Sequence, residues 1–121
     1  MSSELQIEGE FDRAERLASL LRLSYEPMFV WQVDGPIEFW NTGAERLYGF
    51  APEEAIGHSS HALLQTKFPI EFTELMSQLQ NKRYWSGELH HICKDGREVI
   101  VESRLQLLVC RQSISDLGLA I

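Results

Sequence analysis

From Trp85 to Val109 the chain alternates apolar and polar residues on both sides of Asp95-Gly96, a period of two that extended strands satisfy and helices do not. On the second arm Val99, Val101, Ser103, Leu105, Leu107 and Val109 form one face, and Glu98, Glu102, Arg104 and Gln106 the other. On the first arm the odd set Trp85, Leu89, His91 and Cys93 is the better core face. Core face must lie beside core face, so odd pairs with odd and the connecting loop has odd length. Lys94-Asp95-Gly96 provides three residues and sets Gly96 where positive φ is needed. A two-residue Asp-Gly loop would turn Glu88 and Ser86 inwards instead. The same register carries Cys110 ~40 Å along the strand beyond Arg97, out of reach of Cys93, so both thiols are expected to be free.

An apolar sheet face needs a cover, and the residues upstream are punctuated as short helices. Residues 1 to 10 are polar and acidic, without a period. Phe11, Ala14, Ala18, Leu21 and Tyr25 then recur at spacings of three and four, Leu17 and Leu20 widen the stripe, and Pro27 closes this helix. Met28 to Val33 and Ile37 to Asn41 read as strands, joined as a hairpin or closely connected pair by Asp34-Gly35-Pro36. Thr42 stands three residues before Glu45, the capping-box spacing, which predicts a helix from Thr42 to near Gly49. Pro52 with Glu53 and Glu54 opens a helix of about one turn that ends at Gly57. Ser59 or Ser60 can cap a third helix, running to about Gln65. Pro69 opens a longer one, with Phe72, Leu75, Met76 and Leu79 on one face and Asn81 to Arg83 at its end. A last strand is read at Gly118 to Ile121.

With 121 residues, 44% of them apolar, this is one domain with its own core: a flanking helix over 1–24 and the body over 25–121. A net charge of -7 repels phosphate backbones and anionic lipid, so neither nucleic acid nor membrane contact is expected. No apolar run approaches the ~18 residues of a membrane span, and the N-terminus lacks the basic start and apolar stretch of a signal peptide. A soluble, cytoplasmic domain is the expectation.

Three separated segments, in order, resemble one family. Ile37-Glu38-Phe39-Trp40-Asn41-Thr42-Gly43-Ala44-Glu45-Arg46-Leu47-Tyr48-Gly49-Phe50 is similar to the strand-to-helix segment of PAS domains, and Pro52-Glu53-Glu54-Ala55-Ile56-Gly57 to the helix that follows it. Trp85-Ser86-Gly87-Glu88-Leu89, with Lys94-Asp95-Gly96-Arg97 and Glu102-Ser103-Arg104, resembles the family's late hairpin. The resemblance covers about residues 25 to 109. It implies an α+β PAS fold: a five-stranded antiparallel sheet with helices packed on one face and the N-terminal helix flanking it. It also implies a sensory or dimerisation module of a bacterial signal-transduction protein, such as a two-component histidine kinase or a diguanylate cyclase, acting on an effector domain outside this chain. Light-sensing relatives carry a flavin-reactive cysteine in the segment matching His58 to Gln65, and haem-binding relatives an axial histidine in the helix from Ile70 to Lys82. This chain has neither, so no haem or flavin is expected. Its end, Ser115-Asp116-Leu117-Gly118-Leu119-Ala120-Ile121, also departs from the Asp-Ile-Thr-like segment that couples the family's last strand to its effector.

Candidate residues follow from position. His91 is aimed inwards by the register, where an imidazole can be a plain core residue, hold a ligand or sense protons. Tyr48, His61, Met76 and Cys93 are the further candidates for a ligand pocket over the same sheet face. His90 and His91 point to opposite faces, His58 precedes its helix, and no Cys-x-x-Cys or His-Glu-x-x-His accompanies them, so no metal site is expected. No nucleophile-base pair or phosphate loop is present, and no enzymatic activity is expected. Phe11, Ala14, Leu17, Ala18, Leu21 and Tyr25 are the expected homodimer contacts, lying against a twin helix or across the outer sheet face near Ile92 and Ile100. The alternatives are a sensor of an unidentified small molecule and a ligand-free interaction module.

Overall fold

The computed structural model of the chain describes residues 9–33, 35–109 and 116–120. Along the chain run α1 (Gly9–Leu23), β1 (Phe29–Gln32), β2 (Ile37–Trp40), α2 (Thr42–Tyr48), α3 (Pro52–Ala55), α4 (Ser60–Leu63), α5 (Phe72–Lys82), β3 (Tyr84–Ile92), β4 (Glu98–Val109) and β5 (Asp116–Ala120). The strands lie in the order β2-β1-β5-β4-β3, so the last strand is inserted between the first and the fourth. Each neighbouring pair is antiparallel.

The long hairpin has odd paired with odd: Trp85 faces Leu105, Leu89 faces Val101 and His91 faces Val99. The loop closes with Cys93 N–H donating to the Arg97 carbonyl at 2.8 Å and Gly96 N–H to the Cys93 carbonyl at 2.9 Å. Gly96 adopts φ 90°, the left-handed conformation that the three-residue loop demands. Trp85, Leu89, Leu105 and Leu107 are consequently buried, in one core with Trp40, Tyr48, Ala55, Leu64, Leu75 and Leu79 from β2 and the helical segments. On the opposite sheet face Ile100 is 60% exposed. Gly87 leaves room for the Trp85 indole, whose ring would stand 2.7 Å from a Cβ at that position.

Several boundaries differ from the sequence reading, each for a local reason. The cap of α2 is Asn41, not Thr42: its side-chain oxygen accepts from Ala44 N–H, and Thr42 is already the first helical residue. The reciprocal half of a capping box appears one helix later, where the Glu54 carboxylate accepts from Ala51 N–H at 2.8 Å. Pro69 and Ile70 form a bend, and α5 begins only at Phe72. The final strand starts two residues earlier than read, and its last expected member, Ile121, lies outside the described residues, as does Cys110. Helix α1 meets α2 rather than the outer sheet face, which leaves Ile100 open.

One buried amide gathers the end of α1 and its linker onto the body. Asn41 Nδ2 donates to the carbonyls of Leu21 at 3.0 Å, Ser24 at 3.3 Å and Glu26 at 2.8 Å, while its oxygen accepts from Met28 N–H at 2.9 Å. Gly43 lets the same linker pass: a Cβ there would lie 2.4 Å from the Tyr25 carbonyl oxygen.

Candidate functional site

Ala120, the last described residue of β5, pairs with Phe29 on one side and Leu105 on the other. A cavity of ≈ 220 Å³ opens between the α1–β1 linker and the early part of β4, roofed by α2. Pro27, Phe29, Leu47 and Val101 make its apolar wall. Glu26 and Glu102 mark its solvent side; both are exposed, and Glu102 belongs to the even set of β4, which faces outwards. Three buried polar side chains complete it: Tyr48, His91 and Ser103, respectively 3%, 4% and 5% exposed.

Each of the three is placed by its element. Tyr48 ends α2 on its inner side, its ring 5.7 Å from Trp40 and edge-on to His91 at 5.3 Å. His91 is odd on β3 and Ser103 odd on β4, so the pleat directs both inwards. His91 Nδ1 shares a 2.9 Å hydrogen bond with Thr66 Oγ1. Thr66 is held by Lys67 next to it, which bridges to His90 on β3. The Tyr48 hydroxyl, His91 Nε2 and the Ser103 hydroxyl meet no hydrogen-bond partner among the described residues. No side-chain nitrogen or oxygen among those residues is both sealed and unpartnered, so each of these three atoms keeps some exposed surface.

Burial, and secondarily the neighbouring His90, lower the His91 pKa to about 4. Burial likewise raises the Tyr48 phenol above its usual range, with Cys93 a smaller contribution. At neutral pH the site therefore presents a neutral imidazole and a neutral phenol. A histidine with a depressed native pKa contributes stability that is full above the unfolded value of 6.5 and declines as pH falls towards about 4. We expect chemical denaturation to show a loss approaching about 3 kcal/mol across that window. The loss should shrink in His91→Gln, which keeps a partner for Thr66 and cannot ionise. Readings between pH 7 and 5 separate this from Glu54, whose lowered carboxylate pKa, caused mainly by Lys94, acts only at lower pH.

The other candidates fall elsewhere. Cys93 is buried and its thiol donates to the Leu47 carbonyl at 3.3 Å; it does not line the cavity. Met76 is half-buried against the core and is also absent from the wall. His61 is exposed, its ring tilted at 45° to that of Phe72 with centroids 5.0 Å apart, and borders a separate space of ≈ 30 Å³ behind Phe29, His91 and Ser103. That inner space, between the helices and the sheet, is nearly filled by Trp31, Phe68 and Phe72. Ser103 and the linker residues were not singled out from sequence; Ser103, a hydroxyl in an otherwise apolar odd set, carried the one available signal. No group of three or more His, Cys, Asp or Glu among the described residues can hold a metal ion.

A family model for the PAS domain matches residues 26–115. The chain belongs to the PAS domain family. Among solved structures it is similar to a PAS domain from Colwellia psychrerythraea, at 25% identity and TM-score 0.72, over 90% of this chain and 95% of that one. A PAS domain from a two-component sensor histidine kinase matches with TM-score 0.75 at 14% identity, over 89% and 92% of the two chains. An RNA-binding light-oxygen-voltage receptor matches with TM-score 0.73 at 20% identity over 89% of this chain and 32% of its own. No curated protein matches. PAS domains are in general sensory signalling modules. Among the described residues, no helix is long and apolar enough to cross a membrane.

Proposed function

We propose that the chain is the sensory module of a bacterial, cytoplasmic signal-transduction protein, of the histidine kinase or diguanylate cyclase kind, and binds a small molecule in the cavity beside His91. The observation that carries this reading is that three buried polar side chains, Tyr48, His91 and Ser103, line ≈ 220 Å³ of space, with the two hydroxyls and His91 Nε2 unpartnered among the described residues. A route for the signal is available, since Glu26 and Pro27 in the cavity wall belong to the linker that Asn41 ties to α1. Ligand binding there presses on that linker, and the strain passes to an effector domain. The acidic surface argues against nucleic acid as a partner, and no enzymatic step is assigned. The purified domain is expected to be colourless, because the helix α5 contains no histidine and the segment from His58 to Gln65 no cysteine. A Soret or flavin band after reconstitution would overturn that expectation. Thermal melting against a metabolite library tests the main reading: a ligand at 100 times its Kd stabilises by about 2.7 kcal/mol. Silence across the library favours the second reading, a ligand-free module that joins two chains.

The second reading has its own support. Leu17, Leu20, Leu21, Leu23 and Tyr25 are exposed around α1, and Tyr84, Ile100 and Leu108 on the outer sheet face. Apolar surface of this extent fits a twin chain. Ala14 and Ala18 lie on the same helix; the side chain of Phe11 is outside the description. We expect a homodimer at micromolar concentration that Leu21→Glu dissociates; deletion of residues 1–24 should do the same, but it also strips Asn41 of the Leu21 and Ser24 carbonyls. Sedimentation of the intact chain as a monomer at ~100 μM would rule this out.

A further inference from the structure

We propose that the open edge of β3 is a docking site for an extended, basic segment of a partner protein. The segment adds as an antiparallel strand beside Ser86 and Glu88 and sets a lysine or arginine against the Glu88 carboxylate. The proposal is independent of whether the cavity beside His91 holds a ligand.

The sheet order leaves β3 at one edge. In an antiparallel pair, alternate residues of a strand turn their N–H and C=O groups towards the partner and away from it. Cys93 N–H bonds to the Arg97 carbonyl where the hairpin closes, and His90 exchanges both its groups with Lys67, at 2.9 and 3.3 Å, on the other side. Odd residues of β3 therefore serve β4 and even ones the edge. Ile92 N–H is taken by the Leu64 carbonyl at 2.7 Å, whereas Ser86 and Glu88 have no backbone partner at the edge among the described residues. The antiparallel bridge of Lys67 to His90, continued by two residues, would place Pro69 opposite Glu88. Proline has no N–H to offer. The chain bends away at Pro69 and Ile70, and a gap of ≈ 200 Å³ opens between Lys67, Phe68, Pro69, Glu88 and His90. No bulge interrupts the pairing of β3, and no proline or lysine stands between Tyr84 and Glu88 to guard the exposed edge.

Charge selects the occupant. Lys67 Nζ and His90 Nδ1 both face Glu98, at 4.0 and 3.4 Å. Glu88 is left without an ion pair or side-chain hydrogen bond among the described residues, and so is Glu102, directly opposite it on β4. Like charges opposed on one sheet face repel. Arg104, the one lysine or arginine in the even sets of β3 and β4, stands opposite Ser86 and pairs with neither carboxylate. A strand added at the edge projects the residue it sets opposite Glu88 onto the same outer face, about 5 Å away. There a lysine or arginine neutralises the carboxylate and lays its aliphatic stem along the gap beside Phe68 and Pro69. A second copy of β3 fits less well. Two copies paired about Ser86 would set Lys82, at the end of α5, opposite His90 of the other copy, the place that its Lys67 already holds. A separate strand brings no such collision of like charges.

The test titrates the capped peptide acetyl-Ser-Thr-Val-Lys-Val-Thr-Ser-amide into the isotope-labelled chain and reads amide shifts and hydrogen exchange at Ser86 and Glu88 by NMR. The peptide is expected to slow exchange at both amides severalfold and to bind at least about tenfold more tightly than its counterpart with glutamate for lysine. Glu88→Gln, checked for folding by melting, should reduce that preference severalfold. Methylating the backbone nitrogen of the peptide's lysine should abolish binding, because the added strand needs that donor for the Glu88 carbonyl. A glutamate or N-methylated peptide that binds as well as the parent, an undiminished preference in Glu88→Gln, or no protection at millimolar peptide would each overturn the proposal. So would protection of Ser86 and Glu88 that grows with chain concentration in the absence of peptide, which would make a second copy the occupant.

Discussion

Asn41→Leu is expected to lower stability by about 4 kcal/mol or more, because the lost amide satisfies backbone groups on three segments at once. Asn41 is fully buried. Without it the Met28 and Ala44 N–H groups and the Glu26 carbonyl lose their partner, at roughly 1–3 kcal/mol for each buried group left unsatisfied. Asn41→Asp separates this network from ordinary helix capping. At an exposed N-cap, Asp and Asn are about equivalent. Here an aspartate can still accept from Met28 and Ala44, but it sets a carboxylate against carbonyl oxygens that now receive an N–H. Asn41→Asp is therefore also expected to destabilise strongly, and urea denaturation of the two variants reads the result. An Asp variant as stable as the parent would reduce Asn41 to a cap.

The second large effect lies in the long hairpin. Trp85→Ala and Leu105→Ala are each expected to cost roughly 2–5 kcal/mol, since the two face each other on the core side of the sheet and both are buried. Ile100→Ala, on the other face and 60% exposed, is expected to cost less than about 1 kcal/mol in the monomer. If Ile100 proved the most damaging of the three, the odd face would not be the core face. Measuring at a concentration below that of dimer formation keeps any loss of association at Ile100 out of the comparison.

These two predictions differ in how far the sequence alone leads to them. The hairpin effect follows from alternation, since a period of two, a loop of odd length and one glycine leave a single register in which both arms turn their apolar sets the same way. The Asn41 effect does not. Asn41 stands next to the Thr42 and Glu45 pair, whose spacing is a better capping box, and nothing local shows that the chain twenty residues earlier returns to the same amide. The short helices were legible from Pro, Gly and acidic punctuation, though Pro69 misled by three residues because a bend intervenes before α5.

For the candidate site the division is similar. That His91 points inwards is a consequence of register, and Tyr48 of its place on α2. That Met76 and Cys93 stand off the cavity wall while Ser103, Glu26 and Pro27 line it depends on how the α1–β1 linker, α2 and β4 come together. By itself the sequence determined the pairing of β3 with β4, the inward face, the family resemblance and the chain's acidic surface, because each rests on neighbours or on composition. Only the tertiary structure decided the insertion of β5 between β1 and β4, the hydrogen bonds of Asn41 to the end of α1 and its linker, and the position of the cavity. Those are set by contacts between segments far apart in the chain, and local periodicity carries no record of them.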